Sequence, residues 1–95
     1  MRVFKYSLKI ADHTSVRLPY SAKILHVHEQ DGGVYLWALV NPAETRLKRR
    51  EFRIAGTGRE VADIEDLHYI GTVHMNGGLL VFHVFEIITA LEVQP

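Results

Sequence analysis

Six histidines in a chain of 95 residues draw attention first, because imidazole binds metals, moves protons near neutral pH and stacks on other rings. His26 and His28 alternate along a segment that runs into Asp31-Gly32-Gly33, and Tyr35 and Trp37 alternate on the other side of it. Asp-Gly favours the positive φ angles of a tight primed turn. With Asp31-Gly32 as that turn, His28 falls opposite Tyr35 and His26 opposite Trp37. Sliding the turn to Gly32-Gly33 changes the pairing but keeps all four on one face, since strand side chains alternate with a period of two. Ile24 and Leu39 extend the same face. Such rings stack on nucleobases, at about 1–3 kcal/mol per base, and also pack on one another as cross-strand pairs. His26, His28, Tyr35 and Trp37 are therefore candidate ligand contacts.

A second pair of segments, Leu67 to Met75 and Leu79 to Ile88, flanks Asn76-Gly77-Gly78. With Asn76-Gly77 as the turn, parity sends Leu67, Tyr69, Val73, Met75, Leu80, Phe82 and Val84 inward. Gly71 then sits opposite Phe82 and leaves room for its ring. The other face carries His68, Ile70, Thr72, His74, Leu79, Val81, His83 and Phe85. His68 and His83 come out diagonal to each other, within reach of a common ligand. Zinc asks for a third ligand, and His74 lies about 20 Å from His68 by strand rise. No metal and no cofactor is expected. The half-apolar face of His68, Ile70, Val81, His83 and Phe85 is expected at a subunit interface.

Charge is locally segregated although Lys plus Arg (11) balances Asp plus Glu (11). Arg46, Lys48, Arg49, Arg50 and Arg53 crowd one segment, with Glu44 and Glu51 among them. Glu60, Asp63, Glu65 and Asp66 crowd the next, beside Arg59. Three readings stay open: a solvated edge strand followed by an acidic loop, a site for phosphate, nucleic acid or an acidic protein surface, or pairing of the two segments between subunits. For a nucleotide-type ligand, Arg49, Arg53 and Arg59 are the candidates for the phosphates and Tyr35 or Trp37 for the base. Gly56-Thr57-Gly58-Arg59 exposes backbone N–H groups. It lacks the Gly-Lys-Ser/Thr ending of a nucleotide-hydrolysing loop and the third glycine of a dinucleotide fingerprint, so turn chemistry is its first reading. Ser7, Ser15 and Ser21 have no nucleophile-elbow context, and nothing marks a carboxylate pair for acid–base work. The expectation is no enzyme.

The elements that hold these residues are strands. Phe4, Tyr6, Leu8 and Ile10 share one face of a first strand; Val16 and Leu18 mark a short second one closed by Pro19. Ile24 to Gln30 and Val34 to Val40 form the first hairpin, which Asn41-Pro42 ends. Leu47 to Ala55 follows, stopped by Gly56-Thr57-Gly58, and residues 59–66 suit a loop or one helical turn. Helical spacing is nearest at Thr89 to Val93, too short for an independent helix. These elements predict one mostly β domain over 1–95: a small antiparallel sandwich or barrel of about six to seven strands, with two tight Gly-rich hairpins and little helix. Val34 to Val40 is apolar on both faces and Leu79 to Phe85 nearly so. A domain this small rarely covers both sides of two strands itself, so a homo-oligomer is expected.

Composition fits that class, with 47% hydrophobic and 23% charged residues. No apolar run reaches the ~18–20 residues of a membrane span, and the longest, Leu79 to Ile88, is interrupted by His83 and Glu86. The N-terminus alternates as a strand does and does not read as a signal peptide. Absence of cysteine excludes disulfides and thiol chemistry and suits a reducing compartment, so a cytoplasmic location is expected. Neutral net charge provides no overall field toward nucleic acid and speaks against general nucleic-acid binding.

Five blocks carry a resemblance that spans nearly the whole chain: Ala22-Lys23-Ile24-Leu25-His26, Leu36-Trp37-Ala38-Leu39-Val40, Phe52-Arg53-Ile54 leading into Gly56-Thr57-Gly58, Tyr69-Ile70-Gly71-Thr72-Val73, and Val81-Phe82-His83-Val84-Phe85-Glu86. As a set they resemble a family of short phage, prophage and bacterial proteins of unassigned function. The resemblance implies a small stand-alone product borne on a mobile element. Together with the residues above, the expectation is a non-enzymatic binding protein that captures a host factor or nucleotide signal stoichiometrically, as an anti-defence inhibitor would. The alternatives are a nucleic-acid-binding module and a structural subunit of a larger assembly.

Overall fold

A computed structural model describes residues 1–88 of the chain. Polar–apolar alternation becomes seven strands: β1 (Arg2–Leu8), β2 (His13–Pro19), β3 (Lys23–Gln30), β4 (Gly33–Val40), β5 (Leu47–Gly56), β6 (Leu67–Met75) and β7 (Leu80–Ile87). Short 3₁₀ turns at Ile64–Asp66 and Asn76–Gly78 complete the described elements. The expected short segment Thr89 to Val93 lies outside the described residues. Among those that are described, no helix is long and apolar enough to cross a membrane.

The strands form two antiparallel sheets, β1-β4-β3 and β2-β5-β7-β6, and no barrel closes. Between them lies the core, with Leu36, Val40, Leu18, Phe52, Val73 and Val84 each at most 1% exposed. Sheet-on-sheet packing requires one apolar row per strand. On β4 that row is Val34, Leu36, Ala38 and Val40, all buried. β1 adds Tyr6 and Leu8, while Ile10 lies past its end and is 42% exposed. β4 is thus the central strand of its sheet, but among the described residues only its even-numbered side is covered. Where β3 and β6 face each other, Gly71 lets the sheets approach. A Cβ there would stand 2.9 Å from Val27 Cγ1, so the room it leaves serves Val27 and not the ring of Phe82.

Three sequence expectations need correction. The strand over Leu47–Gly56 is not an edge: β5 lies between β2 and β7. Its basic residues therefore project alternately inward and outward from the middle of a sheet. The connection from β5 to β6 has to cross over, because these two strands run parallel with β7 between them. Residues 57–66 make that crossing.

The second correction comes from two β-bulges, each of which inserts a residue and reverses parity beyond it. In β3 the ladder runs Ile24↔Ala38 and then His26↔Trp37, leaving Leu25 unpaired. Ile24 consequently packs on the core rather than on the ring-bearing face. In β6 the ladder runs Tyr69↔Phe85 and then Gly71↔Val84, leaving Ile70 unpaired. Leu67 and Tyr69 thus share the outer side with Phe85, while His68 lies opposite Glu86 and Ile70 packs on the core. The third concerns the Asn76 turn, which is longer than two residues, with Met75 pairing Leu80.

One charged pair lies within the sandwich. Arg50 faces inward from β5 and donates to Glu86 through Nε at 2.5 Å and Nη2 at 2.7 Å, and its Nη1 donates to the Ala22 carbonyl at 2.5 Å. The fork of the guanidinium matches the carboxylate in two parallel bonds. Its third bond ties the β2–β3 connection to the four-stranded sheet. Side-chain exposures of 17% and 10% place the pair at the end of the core, out of bulk water.

Candidate functional site

The expected first-hairpin register is the one observed. Asp31 (φ 51°) and Gly32 (φ 84°) form the turn, and His28 pairs with Tyr35 and His26 with Trp37. All four rings stand on the outer face of β1-β4-β3. His26 and His28 stack at 5.6 Å between centroids; His26 lies 6.2 Å from Trp37, and Trp37 lies 6.3 Å from Tyr35. The Tyr35 ring lies across Gly33, where a Cβ would come within 3.1 Å of it. Lys5, opposite Trp37 on β1, places Nζ 4.7 Å from the Tyr35 centroid and donates to Gln30 Oε1 at 2.8 Å. Both histidines are exposed, while Tyr35, Trp37 and Leu39 are half-buried. Sequence reasoning missed Lys5 and Gln30 as part of this face. The signal was present: Lys5 occupies the outward parity of a strand whose Phe4, Tyr6 and Leu8 point in.

The arginines lie on the other side of the sandwich. Arg49 and Arg53 share the outer face of β5 with Glu51, and Arg53 pairs with His13 of β2 and Phe85 of β7. A single ligand cannot use these arginines together with Tyr35 or Trp37 of the same protomer, because the core separates the two faces. Much of the basic segment is also neutralised locally. Arg46 forms a two-pronged bond to Glu44, with both contacts at 2.9 Å. These bonds and the backbone N–H of Arg46 hold the Glu44 carboxyl down at about 2. Arg49 reaches Glu51 at 3.3 Å, Glu51 also faces His13 at 3.6 Å, and Arg50 is held by Glu86. Neither Arg53 nor Arg59 belongs to any ion pair among the described residues. These two line one cleft of about 250 Å³ with Asp12, Ala55, Glu60 and Ala62.

The residues expected at a subunit interface are split by the Ile70 bulge. Val81, His83 and Phe85 remain together on the outer face of β7, whereas His68 and Ile70 turn to the rim of the core beside Arg50 and Glu86. His68 and His83 therefore do not form a pair. Instead His83 joins a chain of hydroxyls: Thr57 Oγ1 lies 2.8 Å from Nε2, Thr72 Oγ1 3.0 Å from Nδ1, and Tyr69 OH 2.5 Å from Thr72 Oγ1. Both ring nitrogens are thus occupied, and hydroxyls can match either tautomer by donating or accepting. Thr57 comes from the Gly-Thr-Gly turn and the other hydroxyls from β6, so this chain fastens the crossover to the sheet.

No curated protein and no solved structure matches the chain. One family, described as "Domain of unknown function (DUF7352)", matches residues 1–93. Its coverage takes in both outer faces, the two bulges and the crossover, and the chain belongs to this family.

Proposed function

We propose that this chain is a non-enzymatic binding protein acting by stoichiometric capture, with the outer face of β1-β4-β3 as its contact surface. The carrying observation is the row of His28, His26, Trp37 and Tyr35, which no other described part of the chain covers. Trp and Tyr dominate binding energy where a partner buries them. Small-molecule sites are concave, whereas these four rings stand side by side along neighbouring strands of one sheet face. A broad ring-bearing strip therefore favours a protein partner over a captured nucleotide at this face. In this reading the chain is a phage- or prophage-borne product working in host cytosol, and the partner is a host factor. Half-buried Val81 and Phe85 on the opposite face support a separate contact between copies of the chain.

The test is affinity purification from the native host, followed by native mass spectrometry, for three forms of the chain. The unmodified chain and Arg49→Ala should each carry one polypeptide at fixed stoichiometry. Trp37→Ala should lose it by at least about tenfold, the effect of about 2 kcal/mol typical of a central aromatic anchor. Equal retention by Trp37→Ala, or a co-purified oligonucleotide in place of a polypeptide, would contradict the proposal.

A further inference from the structure

Arg53 and Arg59 share a cleft, and their chemistry there is unspent. The Nε of Arg53 is closed off from solvent and has no hydrogen-bond partner among the described residues. A ligand does not reach an atom closed off in this way, so an oxyanion meets the part of the Arg53 side chain that lines the cleft. Arg59 follows Gly58 (φ 87°), and its backbone N–H closes the turn onto the Gly56 carbonyl at 3.0 Å, which fixes the root of the side chain. Asp12 and Glu60 line the same cleft, and neither belongs to an ion pair among the described residues. Two guanidiniums beside two free carboxylates do not suit a bare anion, because the carboxylates would repel it. They suit a molecule that offers an oxyanion to the arginines and donates hydroxyls to the carboxylates. An adjoining cleft of about 470 Å³ shares Asp12, Arg59 and Glu60 and adds Ile10 and Phe82 as an apolar wall. Its size lies in the range of small-molecule sites.

From this arrangement we infer a binding site for a nucleoside monophosphate. The phosphate sits on Arg53 and Arg59, the ribose hydroxyls donate to Asp12 and Glu60, and the base lies against Ile10 and Phe82. Guanidinium forks are the usual partners of phosphate oxygens. The site shares no residue with the ring face, so it stands or falls independently of the contact surface proposed above.

The experiment titrates AMP, GMP, ribose 5-phosphate and inorganic phosphate into the purified chain by calorimetry and by amide chemical-shift mapping. The nucleotides should bind, inorganic phosphate should bind more weakly, and shifts should centre on residues 12, 53, 59 and 60. Arg59→Ala, an exposed position in a turn, should weaken the nucleotide by about tenfold or more. Asp12→Asn should weaken the nucleotide and ribose 5-phosphate but not inorganic phosphate. Arg53→Lys keeps the charge and should still lose affinity, and Arg59→Ala carries the test if that variant does not fold. Trp37→Ala should leave nucleotide binding unchanged. Failure of all four probes to bind, shifts centred elsewhere, or nucleotide binding indifferent to Arg59→Ala would overturn the site.

Discussion

The two outer faces of this sandwich are built from similar residue types and end in opposite states. On β2-β5-β7-β6 many polar groups satisfy one another: His83 is bonded at both nitrogens, Tyr69 bonds to Thr72 and Arg49 reaches Glu51 at 3.3 Å, while Glu51 Oε2 faces His13 at 3.6 Å without a hydrogen bond. Residues 57–66 cross over on that sheet, and Ala55 of β5 is only 8% exposed. On β1-β4-β3 no described connection crosses the rings, which lie against one another and, at Tyr35, against Lys5. Exposed histidine alone therefore says little. What distinguishes the faces is whether neighbours already meet each ring's hydrogen-bonding and packing needs. The four-stranded face meets most of them internally, apart from Glu51 Oε2 and the Arg53–Arg59 cleft, and the three-stranded face leaves its rings open.

Among substitutions, the largest effect is expected at the pair that ties the two sheets together. Glu86→Ala leaves the Arg50 guanidinium buried without its carboxylate, and chemical denaturation should show a loss of about 3–5 kcal/mol. Both faces should then lose structure together. Next comes Gly71→Ala, where the new methyl meets Val27 across the sandwich at 2.9 Å. Val27 is 2% exposed and has nowhere to move, so a loss of about 1–3 kcal/mol is expected in the same assay. A smaller effect should separate the faces. Thr72→Val removes the hydroxyl linking Tyr69 and His83, and should lower stability by about 0.5–1.5 kcal/mol. Partner retention through the ring face should stay unchanged, and a loss there would show that the two faces are coupled.

The smallest effect is a local one at the β4–β5 connection. Glu44 should titrate near 2 by carboxyl-carbon NMR, against an ordinary value of 4.5, because Arg46 bonds its ionised form. The sign follows from that depression. Above 4.5 the carboxylate is ionised both folded and unfolded, and the bond contributes fully. As pH falls toward 2 the unfolded chain takes up the proton first, so the contribution declines and is gone below about 2. Arg46→Ala should return the Glu44 midpoint toward 4.5.

Much of the ring face was legible in the sequence because it rests on local rules. Asp31-Gly32 supplies the turn, alternation supplies the face, and together they put His26 opposite Trp37 and His28 opposite Tyr35. Seven strands and the mostly β class followed from the same alternation. The bulges did not, since Leu25 and Ile70 are ordinary apolar strand residues and only pairing with a partner strand reveals the extra one. That single insertion in β6 dismantled the His68–His83 pair and moved Leu67 and Tyr69 outward. Whether Leu47–Gly56 is edge or centre is likewise decided by contacts distant in sequence. The Arg50–Glu86 bond joins residues 36 apart, and no local pattern marks it. The Arg53–Arg59 cleft was half legible: the arginines were singled out, but their union with Asp12 and Glu60 depends on how the strand ends meet.

The central claim is that a partner covers the ring face, and Trp37 reports on it directly because it is the chain's sole tryptophan. The decisive measurement is iodide quenching of its fluorescence in the species isolated from the native host, set against the dilute isolated chain. Strong protection and a blue-shifted emission in the isolated species are the expected result. Equal quenching in both would contradict the assignment of the β1-β4-β3 face as the contact surface.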